Sequence, residues 1–391
     1  DMEWGYANSN TANPHYFMFH RELPIIASKE DPATLYWISS PNSPDRTKTP
    51  NDPTEGDQHP WYVSIGQTLA DWWHYRSFVD RFPNEGGVLG ASVPATLRQF
   101  LPEAEQRPFS LSWDHHDNPF ACQNAHGLGL SGRTYETLKL WTGLEPEKMN
   151  IDDYSFISGL LQCEGISEYI ANYRRRMFSS ASAIFWMYND SWPVTHGWTI
   201  VDYYLRKKAS YHPVRRAFEP VTAVVAEENG VVTVYGVNDS TVDWKGSVQY
   251  GIFSLDGKLP VLEEKDATLY ANASTPLASF SLKEWETLGL KNHGPFAILK
   301  QDGKLVAQHR LFKERFKDLD FVTKPEVKLE LNNGILTLVS EVFVWGVSLD
   351  LNGETEVSDN MFDLIPGIPY SVAWAENLGE PKVAGFGNRF F

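Results

Sequence analysis

VTAVVAEENGVVTVYGVND, residues 221–239, is the stretch on which the fold turns. Apolar positions follow a period of two on both sides of Glu228-Asn229-Gly230, and Asn-Gly is a hairpin signal. The device recurs downstream. KGSVQYGIFSLDGKLPVL (245–262) predicts two strands around Asp256-Gly257, and FAILKQDGKLVAQHRLF (296–312) two around Asp302-Gly303. VKLELNNGILTLVSEVFVWGVSLDL (327–351) repeats it at Asn333-Gly334. Evenly spaced strands with such turns indicate β-sandwiches, one over 221–319 and a smaller one over 320–391.

Upstream the period changes. In LLQCEGISEYIANYRRRMFSS (160–180), Leu160, Leu161, Ile166, Tyr169, Ile170, Tyr173 and Met177 recur at three and four, with Glu164, Glu168, Arg174 and Arg175 mostly between them. That predicts an amphipathic helix. Further helices are expected at 91–101, with Pro94 in the first turn, and at 64–80. Short apolar runs lie between: TLYWISSP (34–41), GDQHPWYV (56–63), SFVDRFPNEG (77–86) and ASAIFWMYND (181–190). Strands alternating with helices predict a mostly parallel sheet, barrel or doubly wound. The expected class is therefore α/β plus all-β. The Pro-, Asp- and Thr-rich segment 41–56 is long for a connection and is expected to form a rim or lid.

Composition narrows the function. The chain has 391 residues, with 34 basic against 50 acidic side chains and a net charge of -16, which argues against nucleic acid as a partner. Its apolar runs are too short for a membrane span, and DMEWGYANSN has no features of a secretory leader. Cys122 and Cys163 allow at most one bridge and show no metal-ligand spacing. Aromatic residues make up 14%, and Trp and Tyr pair an apolar face with a polar edge.

The aromatic residues gather around polar ones. In ASAIFWMYNDSWPVTHGW (181–198), Trp186, Tyr188, Asn189, Asp190, Trp192 and Trp198 crowd together. A sugar site has this composition, because pyranose faces stack on indole while hydroxyls need amide and carboxylate partners. An aromatic plug between domains would have it too. GDQHPW (56–61) places Asp57 and His59 on one face of a short strand, followed by Trp61. WDHHDNPF (113–120) adds Asp114, His115, His116 and Asp117, which read as polyol partners or satisfied core groups rather than metal ligands. In RFPNEGG (81–87), Glu85 stands where an apolar strand gives way to glycines that leave room for a ligand. Read locally, Asn84-Glu85-Gly86-Gly87 also fits a solvent-facing turn. Retaining glycoside hydrolysis needs two carboxyl groups about 5–5.5 Å apart. Glu85 is a candidate nucleophile, and the chain offers no obvious second group.

At this point the sequence resembles glycoside hydrolase family 2, on its β-mannosidase branch. The resemblance rests on YWISSP (36–41), GDQHPW (56–61), RFPNEGG (81–87), WDHHDNP (113–119), FWMYNDSWPV (185–194), WTIVDYYLRKKASYHPVRRAFEPV (198–221) and SDNMFDLIPG (358–367). It implies that residues 1–220 supply strands five to eight of a (β/α)8 TIM barrel, followed by two immunoglobulin-like β-sandwich domains. Glu85 would be the nucleophile ending strand seven, and Trp186 would end strand eight beneath the sugar. Asn189 and Asp190 would organise the floor, Trp192 and Trp198 the wall, and Asp57 and His59 would end strand six. The neighbours of Glu85 depart from the family's Ser-Glu-Phe-Gly.

The family's acid/base glutamate follows strand four. Asp1 stands at its position, or the glutamate belongs to an N-terminal segment or a companion polypeptide, which is the preferred expectation because half a barrel leaves open edges. The implied substrate is a β-mannoside-containing oligosaccharide or glycan, with no metal or organic cofactor. Alternatives are an exo-β-D-glucosaminidase, an endo-β-mannosidase on N-glycans, or a non-catalytic carbohydrate-binding or assembly subunit. The compartment stays open: vacuolar, lysosomal or extracellular if a leader lies upstream, otherwise cytoplasmic.

Overall fold

A computed structural model describes residues 14–45, 47–63, 71–118 and 133–391. Its spine is the helix Ile151–Arg174. Asn150 caps it by accepting from the Asp153 amide, and Asp152 and Asp153 place negative charge in the first turn, where the helix dipole favours it. At 1.5 Å per residue it runs about 36 Å, and most of its side chains are buried. Trp72, Trp113, Trp141, Tyr154, Leu160, Ile166, Tyr169 and Tyr173 belong to one core around it.

The side chains expected on a solvated face of this helix turn inward instead. Arg310 Nη1 donates to Glu164 (3.0 Å) and its Nε to Asp363 (2.9 Å). Arg76 donates to Glu168 (2.8 Å), and Arg175 to Glu228 (3.1 Å). A second apolar stripe is therefore unnecessary: the sandwich domains and the 72–77 segment bring countercharges to the polar face.

The apolar runs expected to be strands pair through isolated bridges and do not form a regular parallel sheet. Gln58 N donates to Phe82 O (3.1 Å) and Asn84 N to Gln58 O (3.0 Å), a parallel bridge. On the other side of 81–86, Ala181 N, Ile184 N and Trp186 N donate to Arg81 O, Pro83 O and Gly86 O at 2.9, 3.2 and 2.8 Å. The segments 57–59, 81–86 and 181–186 thus lie side by side in that order. Pro60 and Pro83 have no amide hydrogen, which interrupts the ladders. The regular strands here are β1 (Gly90–Ala91) and β2 (His196–Gly197), which pair antiparallel. No barrel closes among the described residues. The expected helix at 91–101 is Pro94–Phe100, with Pro94 in its first turn. Of 64–80, residues 64–70 lie outside the described residues, and Trp72–Ser77 is a 3-10 helix. Cys163 is buried in the long helix, and Cys122 lies outside the described residues.

The rest is antiparallel. β3 (Val221–Glu228), β4 (Val231–Asn238) and β7 (Ala273–Ser281) form one sheet. β5 (Trp244–Ser254), β6 (Val261–Leu269), β8 (His293–Gln301) and β9 (Lys304–Arg310) form the facing one, in the order β6-β5-β8-β9. Val232, Val234, Val248, Ile252, Trp285 and Leu299 fill the space between them. Asn229 and Gly230 turn β3 into β4 with φ of 52° and 82°, as a type I′ turn requires. The sequence reading placed only strands here and missed the helix Leu282–Leu288, although Ser281 and Glu284 form its capping box. A smaller pair of sheets follows. β10 (Lys328–Asn332), β11 (Ile335–Val339) and β14 (Tyr370–Ala373) face β12 (Val344–Val347) and β13 (Phe362–Leu364) over Leu336, Leu338, Val347 and Leu364.

Gly346, in β12, fixes the seam between this last unit and the spine. Its φ is +58°, and a Cβ there would sit 2.2 Å from Leu160 Cδ2. Gly346→Ala combines a left-handed backbone with an overpacked contact and should cost about 3 kcal/mol. Urea unfolding of the variant against wild type measures this, and a loss below about 1 kcal/mol would show that the seam yields.

Candidate functional site

Glu85 stands at the end of the central extended segment, with its side chain 27% exposed. Two residues from the neighbouring segment hold the same carboxylate oxygen. Trp61 Nε1 donates to Oε2 at 2.9 Å, and His59 Nδ1 lies 3.4 Å from it. Oε1 is left as the oxygen available for attack or ligand contact. The Trp61 ring meets Trp198 edge to face, with centroids 5.5 Å apart, and Trp198 packs on Leu89.

A polar bed supports this pair. Asp57 is buried and accepts four hydrogen bonds: Trp37 Nε1 (2.8 Å) and Asn42 N (2.9 Å) on Oδ1, Ser40 Oγ (2.5 Å) and Asn84 Nδ2 (2.8 Å) on Oδ2. Ser40 Oγ also lies 2.8 Å from His59 Nε2. Burial pushes the His59 imidazole down in pKa, against the pull of Glu85 and Asp57. The loop expected as a rim or lid is tied to His59: Asn51 Nδ2 donates to its carbonyl and Asn51 Oδ1 accepts from its amide.

The glycines after Glu85 do not serve as open space. A Cβ on Gly86 would lie 2.6 Å from the Tyr169 ring, and one on Gly87 2.4 Å from the Trp186 carbonyl. The Tyr75 hydroxyl clamps Gly87, accepting from its N–H and donating to its C=O. These contacts draw the Glu85 turn down onto the spine and against the backbone of Trp186, whose own side chain is exposed.

The structure brings Asp57, His59, Trp61, Glu85 and Trp198 into one cluster, with Trp186 beside it. The other expected residues go elsewhere. Asn189 is exposed, and its Nδ2 donates to the Asp190 carbonyl. Asp190 is buried, accepts from Thr199 Oγ1 (2.8 Å) and lies among groups that pair with Lys208, so its carboxyl serves the interior. Trp192 is exposed and stacks on His116, with centroids 5.3 Å apart. Asp117 Oδ1 lies 2.7 Å from His196 Nδ1, and Tyr154 meets His196 Nε2 at 2.6 Å, a buried network in which Asp117 Oδ2 has no hydrogen-bond partner among the described residues. No group of three or more His, Cys, Asp or Glu that could hold a metal is found among the described residues. Sequence reasoning gave no role to Trp37, Ser40, Asn42 or Asn84. The only signal was their place in segments already singled out: Trp37 and Ser40 in YWISSP, Asn42 in the 41–56 loop and Asn84 in RFPNEGG.

Comparison with known proteins follows the same outline. Residues 230–318 match the family of the mannosidase Ig/CBM-like domain. The chain is 25% identical to beta-mannosidase B of Aspergillus niger over 94% of this chain and 45% of that protein. For beta-mannosidase B of Aspergillus clavatus the figures are 25%, 90% and 43%. The crystal structure of β-D-mannosidase from Dictyoglomus thermophilum superposes with a TM-score of 0.82 and 26% identity, over 98% of this chain and 46% of that one. The exo-chitosanase of Amycolatopsis orientalis shares the fold, with a TM-score of 0.56 and 17% identity over 74% of this chain and 39% of that one. The chain thus has a mannosidase-like fold, mixed α/β with an immunoglobulin-like domain, and spans less than half the length of the curated relatives it matches.

Lys208 lies beneath the site, fully buried. Its Nζ donates to Gly90 O (2.9 Å) and Gly197 O (3.2 Å), tying β1 to β2. Burial pulls its pKa down to about 8, against the pull of Asp190 and Asp202. Between that value and the unfolded one the unfolded chain binds more protons, so Lys208 makes stability rise as pH climbs through this window. Lys208→Met should lose about 3 kcal/mol at neutral pH, because two carbonyls and Asp190 lose their cation, and should lack that rise. Urea unfolding of both proteins at pH 7 and pH 10 tests it. A stability gap that narrows with pH would contradict the assignment.

Proposed function

We propose that this chain forms part of a retaining glycoside hydrolase acting on β-mannosides, with Glu85 as the nucleophile. The observation that carries the reading is the cradle of Glu85. One of its oxygens is fixed by the Trp61 indole and His59, while the other is free beside an edge-to-face pair of tryptophans. The likeness to β-mannosidases over nearly the whole chain supports the same reading.

The mechanism needs a second carboxyl group, and Asp57 cannot serve. Its four hydrogen bonds make it a fixed acceptor, unable to deliver and retrieve a proton. We assign the acid/base to a glutamate outside the described residues, on an N-terminal segment or a companion polypeptide. Relatives about twice as long as this chain are consistent with that assignment. In the same reading, 57–59, 81–86 and 181–186 are strands six, seven and eight of a (β/α)8 barrel that the missing part completes.

The reaction then runs in two steps. The external acid protonates the leaving oxygen as Glu85 Oε1 attacks the anomeric carbon, giving a glycosyl ester on Glu85. The same group, now a base, takes a proton from water as the water displaces Glu85. Trp186, Trp61 and Trp198 offer apolar faces and edges to the pyranose. Asn189, Asp190 and Trp192 keep supporting roles in this reading, Asp190 from the interior.

Treating the active full-length protein with a 2-fluoro-mannoside should leave one label, found on Glu85 by peptide mass spectrometry. Glu85→Gln should lower kcat by about four orders of magnitude or more. A label on another residue overturns the nucleophile. Turnover confined to nitrophenyl glucosaminides or to intact Man-β-GlcNAc glycans moves the substrate to one of the alternatives. Sugar binding without turnover in wild type and Glu85→Gln alike overturns catalysis.

A further inference from the structure

Between the long helix, the middle sandwich and the last unit lies a cavity of about 170 Å³. For scale, an apolar cavity of about 150 Å³ holds one benzene molecule. Arg76, Arg216 and Arg310 reach its wall, but each is committed to a carboxylate: Arg76 to Glu168 (2.8 Å), Arg216 to Asp359, and Arg310 to Glu164 and Asp363. Three other polar groups on the wall are uncommitted. Val225 N donates to His309 Nδ1 at 3.1 Å, so that nitrogen is bare and the neutral ring carries its hydrogen on Nε2. Burial pushes the imidazole down to about 4, which keeps the ring neutral at neutral pH. Among the described residues His309 Nε2 has no hydrogen-bond partner, and neither has the Ser167 hydroxyl. Glu168 gives Oε2 to Arg76 and keeps Oε1. None of these three atoms is sealed off by the protein around it.

We propose that this cavity is a binding site for a small neutral polyol of glycerol's size, with His309 Nε2–H as donor, Glu168 Oε1 as acceptor and the Ser167 hydroxyl as either. The chemistry of the wall selects this class. An ion would enter without a free countercharge, because the guanidinium groups are already paired. A polyol's hydroxyls donate and accept at once, which suits a lone donor facing a lone acceptor, and its carbons can lie on Ala171, Val224 and Ala307 of the same wall. A cleft of about 640 Å³ between the two sandwich units shares Arg216, Leu305, Val306 and Tyr370 with the cavity and offers a way in. The occupant would touch all three units that Arg310 joins, so its binding opposes their separation. The site is separate from Glu85 and does not depend on the role assigned to that residue.

Nitrogen-15 NMR of histidine-labelled full-length protein, titrated with glycerol at neutral pH, tests the site. The His309 signals are those missing from His309→Asn. Glycerol should move the Nε2 resonance along a curve that saturates. Ser167→Leu puts a larger alkyl group on the cavity wall and should raise the half-saturating glycerol concentration about tenfold or more. A His309 response that stays linear in glycerol, like that of the other histidines, overturns the site, and so does a saturating one that Ser167→Leu leaves unchanged. Crystals of the full-length protein grown without polyols and soaked in glycerol give a reading that needs no variant. Glycerol between Ser167, Glu168 and His309 supports the proposal, and water alone there overturns it. Glycerol in the crystal with a linear NMR response is binding at crystal concentration only, and overturns it too. Glu85 takes no part in either measurement, so a 2-fluoro label that misses Glu85 refutes the nucleophile and leaves this site standing.

Discussion

Arg310 holds the molecule together at its centre. Its guanidinium lies between Glu164 of the long helix and Asp363 of the last unit, while its own strand, β9, belongs to the middle sandwich. Burial disfavours the charge, but Asp363 and Glu164 outweigh it and hold the group ionised. Trp345 completes the joint by donating its indole N–H to Glu164 at 2.7 Å. Three units thus meet at one cation. A planar fork with five donors can serve two carboxylates at once, which an ammonium on a flexible stem does less well. Breaking such a pair by removing one partner leaves a buried charge uncompensated, so each unit constrains the placement of the other two.

The site inherits this order through the spine. Tyr169, one turn beyond Glu164 and Gly165, presses on Gly86, and Tyr75 clamps Gly87. The carboxylate is therefore positioned from below by the same helix that Arg310 anchors from the side. Mutations at the joint, far from any sugar, are expected to reach Glu85 through packing rather than through charge.

The β half of the chain was legible because its signals are local. Asn229-Gly230, Asp302-Gly303 and Asn333-Gly334 all adopt the positive φ values their turns require, and no distant residue is needed to see it. The helix Leu282–Leu288 was written just as locally, in Ser281-x-x-Glu284, but was overshadowed by the strands around it. The first half was less legible. The helix at 160–180 was correct in kind, but its charged residues were read as solvated because their countercharges lie far along the chain. Asp57, His59, Trp61 and Glu85 stood out by residue type, whereas Ser40 and Asn84 gained meaning only through convergence: Asn84 and Ser40 are 44 positions apart. That Asp190 is buried and held by the charge of Lys208 could not be read from its own neighbourhood, because Lys208 lies 18 positions further along the chain.

The bond from the Trp61 indole to Glu85 has an optical side. An indole whose N–H rests on a carboxylate sits in a local field set by that carboxylate's charge. When the charge is quenched, by a proton or an ester, the field at the chromophore changes with it. The protein thus carries, next to Glu85, a built-in fluorophore whose emission responds to the charge of that carboxylate.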